Sequence, residues 1–284
     1  MASTKTRGHR IKGKGPFIYK DFRDNHVIWP GTEPRLDEFL GQSFKGINHK
    51  RKNARSSNSE DALTWSCFHT LWKVSQIRRA LAFEELWELA YGGMAAPDGL
   101  EAPEIYIGKS YGTGNETTEV DLSLEGDGFL VLVEAKLYSP MSQADPDNGK
   151  KPHNQIERKL TIGLRAAQKM RKEFYFILLD IAPANCLAQL NPGVSLEDAK
   201  GKASGFGGKW LTSYWFSRYK YGHRRSLKPL RDLLSKAELD AGQAPQVADR
   251  MAWLTWADVF KVVLRAVIPC SRPTGQSLKL APAE

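Results

Sequence analysis

Two neighbouring stretches of the chain decide the fold: Glu119-Val-Asp-Leu-Ser-Leu-Glu125 and Leu130-Val-Leu-Val-Glu-Ala-Lys136. Polar and apolar residues alternate along the first stretch, which is the pattern of a half-buried β-strand. The second is an apolar strand whose last polar residues, Glu134 and Lys136, are two apart and therefore share a face. Between them lies Gly126-Asp127-Gly128, and Asp-Gly is a favoured two-residue turn. The two stretches are predicted to form an antiparallel hairpin.

The length of the turn sets which residues of the hairpin face each other. With Asp127 and Gly128 as the turn, Asp121 faces Glu134 and Glu119 faces Lys136, whereas a three-residue turn would put Asp121 and Glu134 on opposite faces. Two facing carboxylates repel each other unless a cation or a proton lies between them. Oxygen ligands of this kind favour Mg²⁺, for which Mn²⁺ can substitute. The hairpin therefore predicts a divalent-metal site.

The segments around the hairpin predict an α/β domain. A helix is expected to begin at Ser59, which is followed by acidic residues that suit a helix N-terminus, and a second helical pattern runs over 77–90. Strands are predicted at 104–107, 118–125, 129–137 and 173–181. Asn154 is expected to cap the helix that precedes the last of these strands, and a final helix to begin near Thr255. The order of helix, three strands, helix and strand predicts a central mixed β-sheet flanked by helices.

Positive charge is concentrated in two segments of the chain, whose formal net charge is +9. Residues 1–55 contain thirteen Lys/Arg against five Asp/Glu, a net charge of +8, and residues 200–236 contain ten against one, a net charge of +9. The remainder therefore sums to −8. We interpret 1–55 as a basic N-terminal arm or subdomain, and 56–284 as the main domain with a basic, aromatic-rich insertion at about 200–236. Basic segments around an acidic centre are typical of proteins that bind a polyanion, although a solvated charged surface has the same composition.

Nucleic acid is the polyanion that the second basic segment fits best, because aromatic rings that can stack on bases are interleaved with its cations. The same rings can instead belong to the hydrophobic core. The candidate nucleic-acid-binding residues are Lys50, Arg51, Lys52, Lys209, Trp215, Arg218, Lys220, Arg224 and Arg225.

Asp121 and the Glu134-Ala135-Lys136 triplet at the end of an apolar strand resemble the signature of the PD-(D/E)XK nuclease superfamily, and the order of elements over residues 59–181 resembles it too. The resemblance implies a restriction-endonuclease-like core in which the Asp and Glu bind Mg²⁺ and the Lys positions and activates the attacking water. Glu60 is similar to the additional acidic metal ligand of many members, and Gln155 to a glutamine that often follows the lysine strand. One departure is Val120, which stands where the family's motif has proline.

The function expected from these residues is a metal-dependent nuclease, most simply a DNA endonuclease. Glu60, Asp121 and Glu134 would hold Mg²⁺, Lys136 would orient and activate a water, and Gln155 would assist. Two other interpretations are open: an exposed polar hairpin face with surface ion pairs, and a catalytically inactive nucleic-acid-binding protein of the same fold.

The remaining expectations concern the protein's surroundings. No apolar run approaches the roughly 18 residues of a membrane span, and the N-terminus lacks an apolar signal segment, so a cytoplasmic protein is expected. Cys67, Cys186 and Cys270 are widely spaced, which predicts buried thiols rather than a disulfide framework or a zinc site. Cleavage of both strands of a duplex would favour a homodimer.

Overall fold

The structure, a computed structural model, describes residues 8–10, 15–42, 49–113, 116–138, 154–181, 209–222 and 226–268. Its strands are β1 (Gly8–Arg10), β2 (Phe17–Tyr19), β3 (Glu104–Ile107), β4 (Ser110–Thr113), β5 (Glu116–Glu119), β6 (Leu122–Glu125), β7 (Phe129–Ala135), β8 (Glu173–Asp180) and β9 (Met251–Thr255). Its α-helices are α1 (Glu33–Gly41), α2 (His49–Asn53), α3 (Glu60–Thr64), α4 (Thr70–Lys73), α5 (Gln76–Tyr91), α6 (Gln155–Met170), α7 (Lys209–Lys220), α8 (Lys228–Lys236), α9 (Ala244–Asp249) and α10 (Trp256–Val267). A π-helical turn, Trp65–His69, joins α3 to α4.

A mixed five-stranded sheet with the strand order β3-β6-β7-β8-β9 forms the centre of the protein. β3, β6 and β7 are antiparallel, and β7, β8 and β9 are parallel. The parallel pair β7 and β8 is joined across α6, as a parallel connection requires. The predicted α/β class, with a central mixed sheet flanked by helices, is confirmed.

The predicted register of the hairpin is confirmed, because Leu122 pairs with Val133 and Leu124 with Val131. The prediction of one strand over 118–125 is wrong, because the chain leaves the sheet at Val120. Residues before that point form β5, which pairs with β4 in a separate two-stranded ribbon, so Glu119 faces Ser110 rather than Lys136.

Helices cover both faces of the sheet. One face packs against α5 and α10 through a cluster that includes Phe83, Leu124 and Val259. The other packs against α6 to α9 through a second cluster that includes Leu132 and Leu160. Each face is thus removed from water, which explains why β7 and β8 are apolar along nearly their whole length.

Three predicted helix starts are confirmed by their capping hydrogen bonds. The side chains of Ser59, Asn154 and Thr255 accept the N–H of Ala62, Glu157 and Asp258, respectively, so each satisfies a backbone donor that has no partner inside its helix. These caps fix the start of α3 and α6, the two helices that carry candidate site residues.

The N-terminal part of the chain folds back onto α3. Phe22, Leu36, Phe39 and Leu40 form a third hydrophobic cluster together with Trp65. Within the described residues, no helix is long and apolar enough to cross a membrane. Cys67 is buried as expected, while Cys186 and Cys270 lie outside the described residues.

Candidate active site

Asp121 and Glu134 are brought together where the chain leaves the sheet. The hairpin register continues from the pair Leu122 and Val133 to these two residues, and the Oδ2 of Asp121 accepts the N–H of Ala135 at 2.7 Å. The Asp121 side chain therefore accepts a hydrogen bond from a backbone N–H group at the end of β7. A carbonyl group of a neighbouring strand would accept this hydrogen bond if the strand continued.

The backbone N–H groups of the three residues after Glu134 donate hydrogen bonds to three different parts of the chain. The N–H of Ala135 donates to Asp121, that of Lys136 to the carbonyl of Leu179 at 2.7 Å, and that of Leu137 to the Oε1 of Glu60 at 2.7 Å. The Lys136 carbonyl accepts the indole N–H of Trp256 at 3.0 Å. The backbone around Lys136 is thus held by β8, α10 and two acidic side chains.

Glu134 lies between two ammonium groups. Its Oε1 is 2.8 Å from the Nζ of Lys136 and its Oε2 is 3.0 Å from the Nζ of Lys159. All three residues are buried, so they do not form an exposed polar face with surface ion pairs. In the described part of the chain, neither oxygen of Glu134 makes a hydrogen bond of proper geometry. A buried carboxylate with unused lone pairs can accept a further cation.

The protonation of the two facing carboxyl groups differs. Burial, followed by the neighbouring charge of Glu134, raises the pKa of Asp121 to about 8. Burial also acts to raise the pKa of Glu134, but Lys136 and Lys159 outweigh it and hold that pKa below its ordinary value. Glu134 is therefore ionised at neutral pH, while Asp121 keeps a proton until a cation compensates its charge.

Further acidic groups surround this pair. The Oε2 of Glu60 is 3.9 Å from the Nζ of Lys136. Burial raises the pKa of Asp61 to about 6, and the carboxylates of Glu119 and Glu60 add to the shift. The carboxylate–lysine cluster consists of Glu60, Asp61, Glu119, Asp121 and Glu134 with Lys50, Lys136 and Lys159. With every group ionised, five acidic groups against three ammonium groups give a formal charge of −2, and the proton on Asp121 reduces it to −1, so the cluster keeps a net negative charge that suits a cation.

Lys159 is the site residue that sequence reasoning missed. It projects from the buried side of α6, and its Nζ also donates a hydrogen bond to the carbonyl of Glu119. A signal was present, because Lys159 stands one turn after Gln155 and three residues after the buried Ile156, so it lies on the sheet side of the helix. Asp61, directly after Glu60, was missed as well.

The other candidate residues of the site lie at its edge. Gln155 is the first residue of α6 and partly buried, on the same helix as Lys159. Lys50, which was predicted to bind nucleic acid, points inward: its Nζ is 2.5 Å from the Oε1 of Glu119 and 2.8 Å from the Oε1 of Gln42. Arg51 pairs with Asp37 at 3.2 Å in an exposed contact. Lys52 is exposed.

The basic aromatic segment is largely part of the core. In α7, Tyr214, Phe216 and Tyr219 are buried, and Trp215 stacks against Tyr219 with 5.9 Å between ring centroids. Tyr214, Phe216 and Tyr219 are therefore explained by the packing of α7 in the core rather than by base stacking.

The cations of this segment have mixed environments. Arg218 donates to the Tyr214 hydroxyl at 3.0 Å. The Nζ of Lys220 donates to the carbonyls of Met251, at 2.5 Å, and Ala248, so this ammonium is engaged inside the protein rather than presented to a phosphate. Lys209 is the first residue of α7, while Arg224 and Arg225 lie outside the described residues.

A metal ion can bind at this site only if several acidic side chains lie close enough together to contact it. Among the described residues, no three His, Cys, Asp or Glu side chains are gathered closely enough to hold an ion as they stand. The donor set is nonetheless of the kind that Mg²⁺ prefers, because it consists of carboxylate oxygens. An ion on Glu134 would have to displace at least one of the two lysine ammonium groups.

No protein-family model, no curated protein and no solved structure matches this chain. The resemblance to the PD-(D/E)XK nucleases therefore rests on the residues and their arrangement alone.

Proposed function

We propose that the protein is a Mg²⁺-dependent nuclease of the PD-(D/E)XK type, with a restriction-endonuclease-like core, that hydrolyses phosphodiester bonds as a DNA endonuclease. One observation carries the proposal: Asp121 and Glu134 meet on adjacent strands, with Lys136 and Lys159 on the same carboxylate. An excess of buried carboxylates at one point of a sheet destabilises the fold. Destabilising groups of this kind are concentrated at functional sites of proteins.

Asp121 and Glu134, with Glu60 beside them, are the residues that would hold Mg²⁺. When bound, the ion supplies neutralisation of the phosphoryl charge and a water of lowered pKa. Ionised Glu134 would supply negative charge for the ion, and a bound cation would favour the ionised form of Asp121. Glu60 ties α3 to the end of β7 through the Leu137 amide, which keeps its carboxyl group next to Lys136.

Lys136 serves as a permanent cation rather than as a proton acceptor. Burial acts to lower the pKa of its ammonium, but Glu134, Asp121 and Glu60 outweigh burial and raise that pKa above its ordinary value. An ammonium held in this way can orient a water and stabilise charge that develops on the phosphate. Lys159, from the opposite side of Glu134, adds a second positive charge at the same point.

Nucleic-acid cleavage with and without metal tests the proposal. Supercoiled plasmid, single-stranded DNA and RNA would be incubated with Mg²⁺ or with EDTA, using wild type, Asp121→Asn and Lys136→Ala. We expect Mg²⁺-dependent nicking or linearisation of the plasmid by the wild type and none by either variant.

The matched control is Asp127→Asn, which removes an exposed carboxylate at the tip of the same hairpin. This variant should cleave like the wild type. Cleavage that survives both Asp121→Asn and Lys136→Ala would show that another site, or a contaminant, does the work.

A second candidate, a nucleic-acid-binding protein of this fold without catalysis, is favoured by one observation. Both oxygens of Glu134 are within ion-pair distance of lysines, so the protein can neutralise this carboxylate without a metal. Tight, salt-sensitive binding of DNA or RNA by wild type, with no cleavage in Mg²⁺ or Mn²⁺, would favour this candidate.

A further inference from the structure

A cleft of about 510 Å³ lies beside the carboxylate–lysine cluster, between α1, the π-helical turn and β3. Its volume is within the range of about 300–1,000 Å³ that holds small organic ligands. Five of the residues that line it carry aromatic rings: Phe39, Trp65, His69, Trp72 and Tyr106. Such a concentration of rings suits a flat ligand that is itself aromatic.

Two of these rings are held in fixed stacks. The Trp65 and His69 rings are nearly parallel, with 4.4 Å between centroids and 14° between planes. On its other side, Trp65 stacks on Phe39 at 5.6 Å. Both Trp65 and His69 belong to the π-helical turn, a conformation that is uncommon in helices and is frequent at functional sites. This wall of the cleft therefore consists of rings that pack against one another.

His69 adds a polar atom without a partner. The residue is only 4% exposed, and within the described residues its Nε2 makes no hydrogen bond. Burial, with Lys73 and Arg35 nearby, lowers the pKa of His69 to about 4, so the ring is neutral at physiological pH. A neutral imidazole brings no positive charge into the aromatic wall, and its ring extends the stack with Trp65.

Two cationic residues, Arg35 and Lys109, also line the cleft, and the Lys109 ammonium is paired with Glu125 at 2.5 Å, so Arg35 is the cation available to a ligand. The Arg35 guanidinium is 4.2 Å from the centre of the Trp72 ring, and the Lys109 ammonium is 3.7 Å from that of Tyr106. A ligand that combines a flat ring with a phosphate would meet an aromatic wall and a positive charge together.

The cleft shares its wall with the candidate active site. Lys50 contacts Gln42, which lines the cleft, and Glu119 of the carboxylate–lysine cluster. Ile107 also lines the cleft, and the N–H of the next residue, Gly108, donates to the carbonyl of Asp121 at 3.1 Å.

Gly108 permits this close junction. A Cβ at that position would lie 2.5 Å from the Lys50 Nζ and 2.8 Å from the Gln42 Oε1, and its φ of +73° disfavours other residues. A ligand in the cleft would thus be separated from the carboxylate–lysine cluster by the side chains of Lys50 and Gln42.

We infer that this cleft holds one unstacked base of the nucleic acid whose neighbouring phosphate is presented to the carboxylate–lysine cluster. The inference rests on the proposed nuclease function, and it defines the substrate class more narrowly: a strand from which a base can leave the stack, such as single-stranded DNA or a duplex with a mispaired or modified base. Taking a base out of a regular duplex breaks its pairing and stacking, so such strands bind more tightly than a fully paired duplex.

Binding of a fluorescent base, measured in EDTA so that no cleavage occurs, tests the inference. The probe is a single-stranded DNA oligonucleotide with 2-aminopurine at one position, whose fluorescence is quenched when the base stacks on aromatic rings. We expect wild type to quench the probe and to bind the corresponding fully paired duplex more weakly. Replacing the 2-aminopurine nucleotide by an abasic one should weaken binding of the oligonucleotide about tenfold, the typical worth of one stacked base.

Two variants examine the walls of the cleft. Trp72→Ala removes a partly exposed ring and should weaken binding of the intact oligonucleotide to the level of the abasic one. His69→Phe keeps a ring in the stack and should bind the oligonucleotide like wild type. Phe260→Ala removes an exposed ring on α10 outside the cleft and should bind like wild type.

Three results would overturn the inference. The first is equal wild-type affinity for the intact and the abasic oligonucleotide, a comparison that does not depend on how any variant folds. The second is unchanged binding by a Trp72→Ala protein whose melting temperature equals that of wild type. The third is displacement of the probe by free deoxyadenosine monophosphate at the oligonucleotide's own affinity, which would make a free nucleotide the ligand.

The Asp121→Asn variant separates this inference from the nuclease proposal. It should quench the probe like wild type and yet fail to cleave. Quenching that needs the base and Trp72, in a protein that never cuts with Mg²⁺, would leave the base site standing without the nuclease. Cleavage that is indifferent to the abasic nucleotide and to Trp72→Ala would leave the nuclease standing without the base site.

Discussion

Two buried glutamates on the same hairpin, Glu125 and Glu134, are each approached by two lysines, but their surroundings differ. The Oε1 of Glu125 accepts hydrogen bonds from Lys109 at 2.5 Å and from the Tyr111 hydroxyl at 2.6 Å, while the Nζ of Lys172 is 3.6 Å from its other oxygen. Glu134 has ion pairs with Lys136 and Lys159 and no hydrogen bond of proper geometry within the described residues.

The difference shows which glutamate belongs to the framework. At Glu125 charge and hydrogen bonds are both satisfied, and the lysines and Tyr111 lower its pKa despite burial. At Glu134 a second carboxyl group, Asp121, lies opposite and keeps its proton. Balanced charge is typical of a structural ion pair, whereas an excess of carboxyl groups, one of which keeps its proton, has the features expected of the metal site that we propose.

Removing one lysine from each glutamate should produce the largest contrast. We expect Lys136→Met to lower the rate of Mg²⁺-dependent cleavage on the order of 100-fold or more, because it removes a charge directed at the reacting phosphate. Lys172→Met, beside Glu125, should stay within about threefold of wild type, since Lys172 pairs with Glu125 and not with a carboxylate of the carboxylate–lysine cluster. The measurement is the cleavage rate of each variant at saturating DNA. Equal losses of rate in both variants would show that the Glu134 and Glu125 clusters do not differ in function.

Neutralising one acid in each cluster should shift stability in opposite directions. Because the folded-state pKa of Asp121, about 8, lies above the ordinary value of 3.8, its contribution to stability is lost as pH rises from about 4 to about 8. Asp121→Asn should therefore raise the unfolding free energy of the metal-free protein at pH 8. We expect a gain of about 2 kcal/mol, after allowance for partial exposure.

The opposite sign applies to Glu125, whose pKa is lowered, so its stabilisation is present above pH 4.5 and is lost on acidification. Glu125→Gln should lower the unfolding free energy at pH 8 by about 2 kcal/mol. Denaturant melts of both variants in EDTA at pH 5 and pH 8 measure these changes. Loss of stability in Asp121→Asn at pH 8 would contradict the assigned protonation.

Magnesium should stabilise the Glu134 cluster and leave the Glu125 cluster unaffected. At ten times its dissociation constant, an ion that binds only the folded state adds about 1.4 kcal/mol. We expect Mg²⁺ to raise the melting temperature of wild type and Glu125→Gln equally, and not that of Asp121→Asn. NaCl at matched ionic strength is the control, and an equal rise in all three proteins would indicate non-specific screening.

The smallest expected effect concerns the hydrogen bond that completes the Glu125 cluster. Tyr111→Phe removes the hydroxyl that donates to Glu125, and should lower the unfolding free energy by about 1 kcal/mol with no change in cleavage rate. Melting curves and cleavage assays on the same preparation suffice. A cleavage defect as large as that of Lys136→Met would mean that Glu125 also takes part in the reaction.

Much of the fold could be predicted because it is encoded locally. The helix starts at Ser59, Asn154 and Thr255 depend on one capping side chain each, and the hairpin register depends on a two-residue turn. Strand β9 was missed because its five residues lack alternation, and it gains its partner only by pairing with β8. Base stacking and core packing were both open for the aromatic residues of α7, and the burial of Tyr214 and Tyr219 favours the core, because burial depends on how α7 packs in the folded protein.

The candidate site divides in the same way. Asp121, Glu134 and Lys136 belong to one hairpin, so their meeting follows from strand parity and turn length, which the sequence by itself determines. Lys159 and Lys50 belong to helices outside the hairpin. The interruption of the strand at Val120 depends on the pairing of β5 with β4. These contacts could not be predicted from local sequence, because they depend on how helices pack across the sheet and on interactions between residues far apart in the chain.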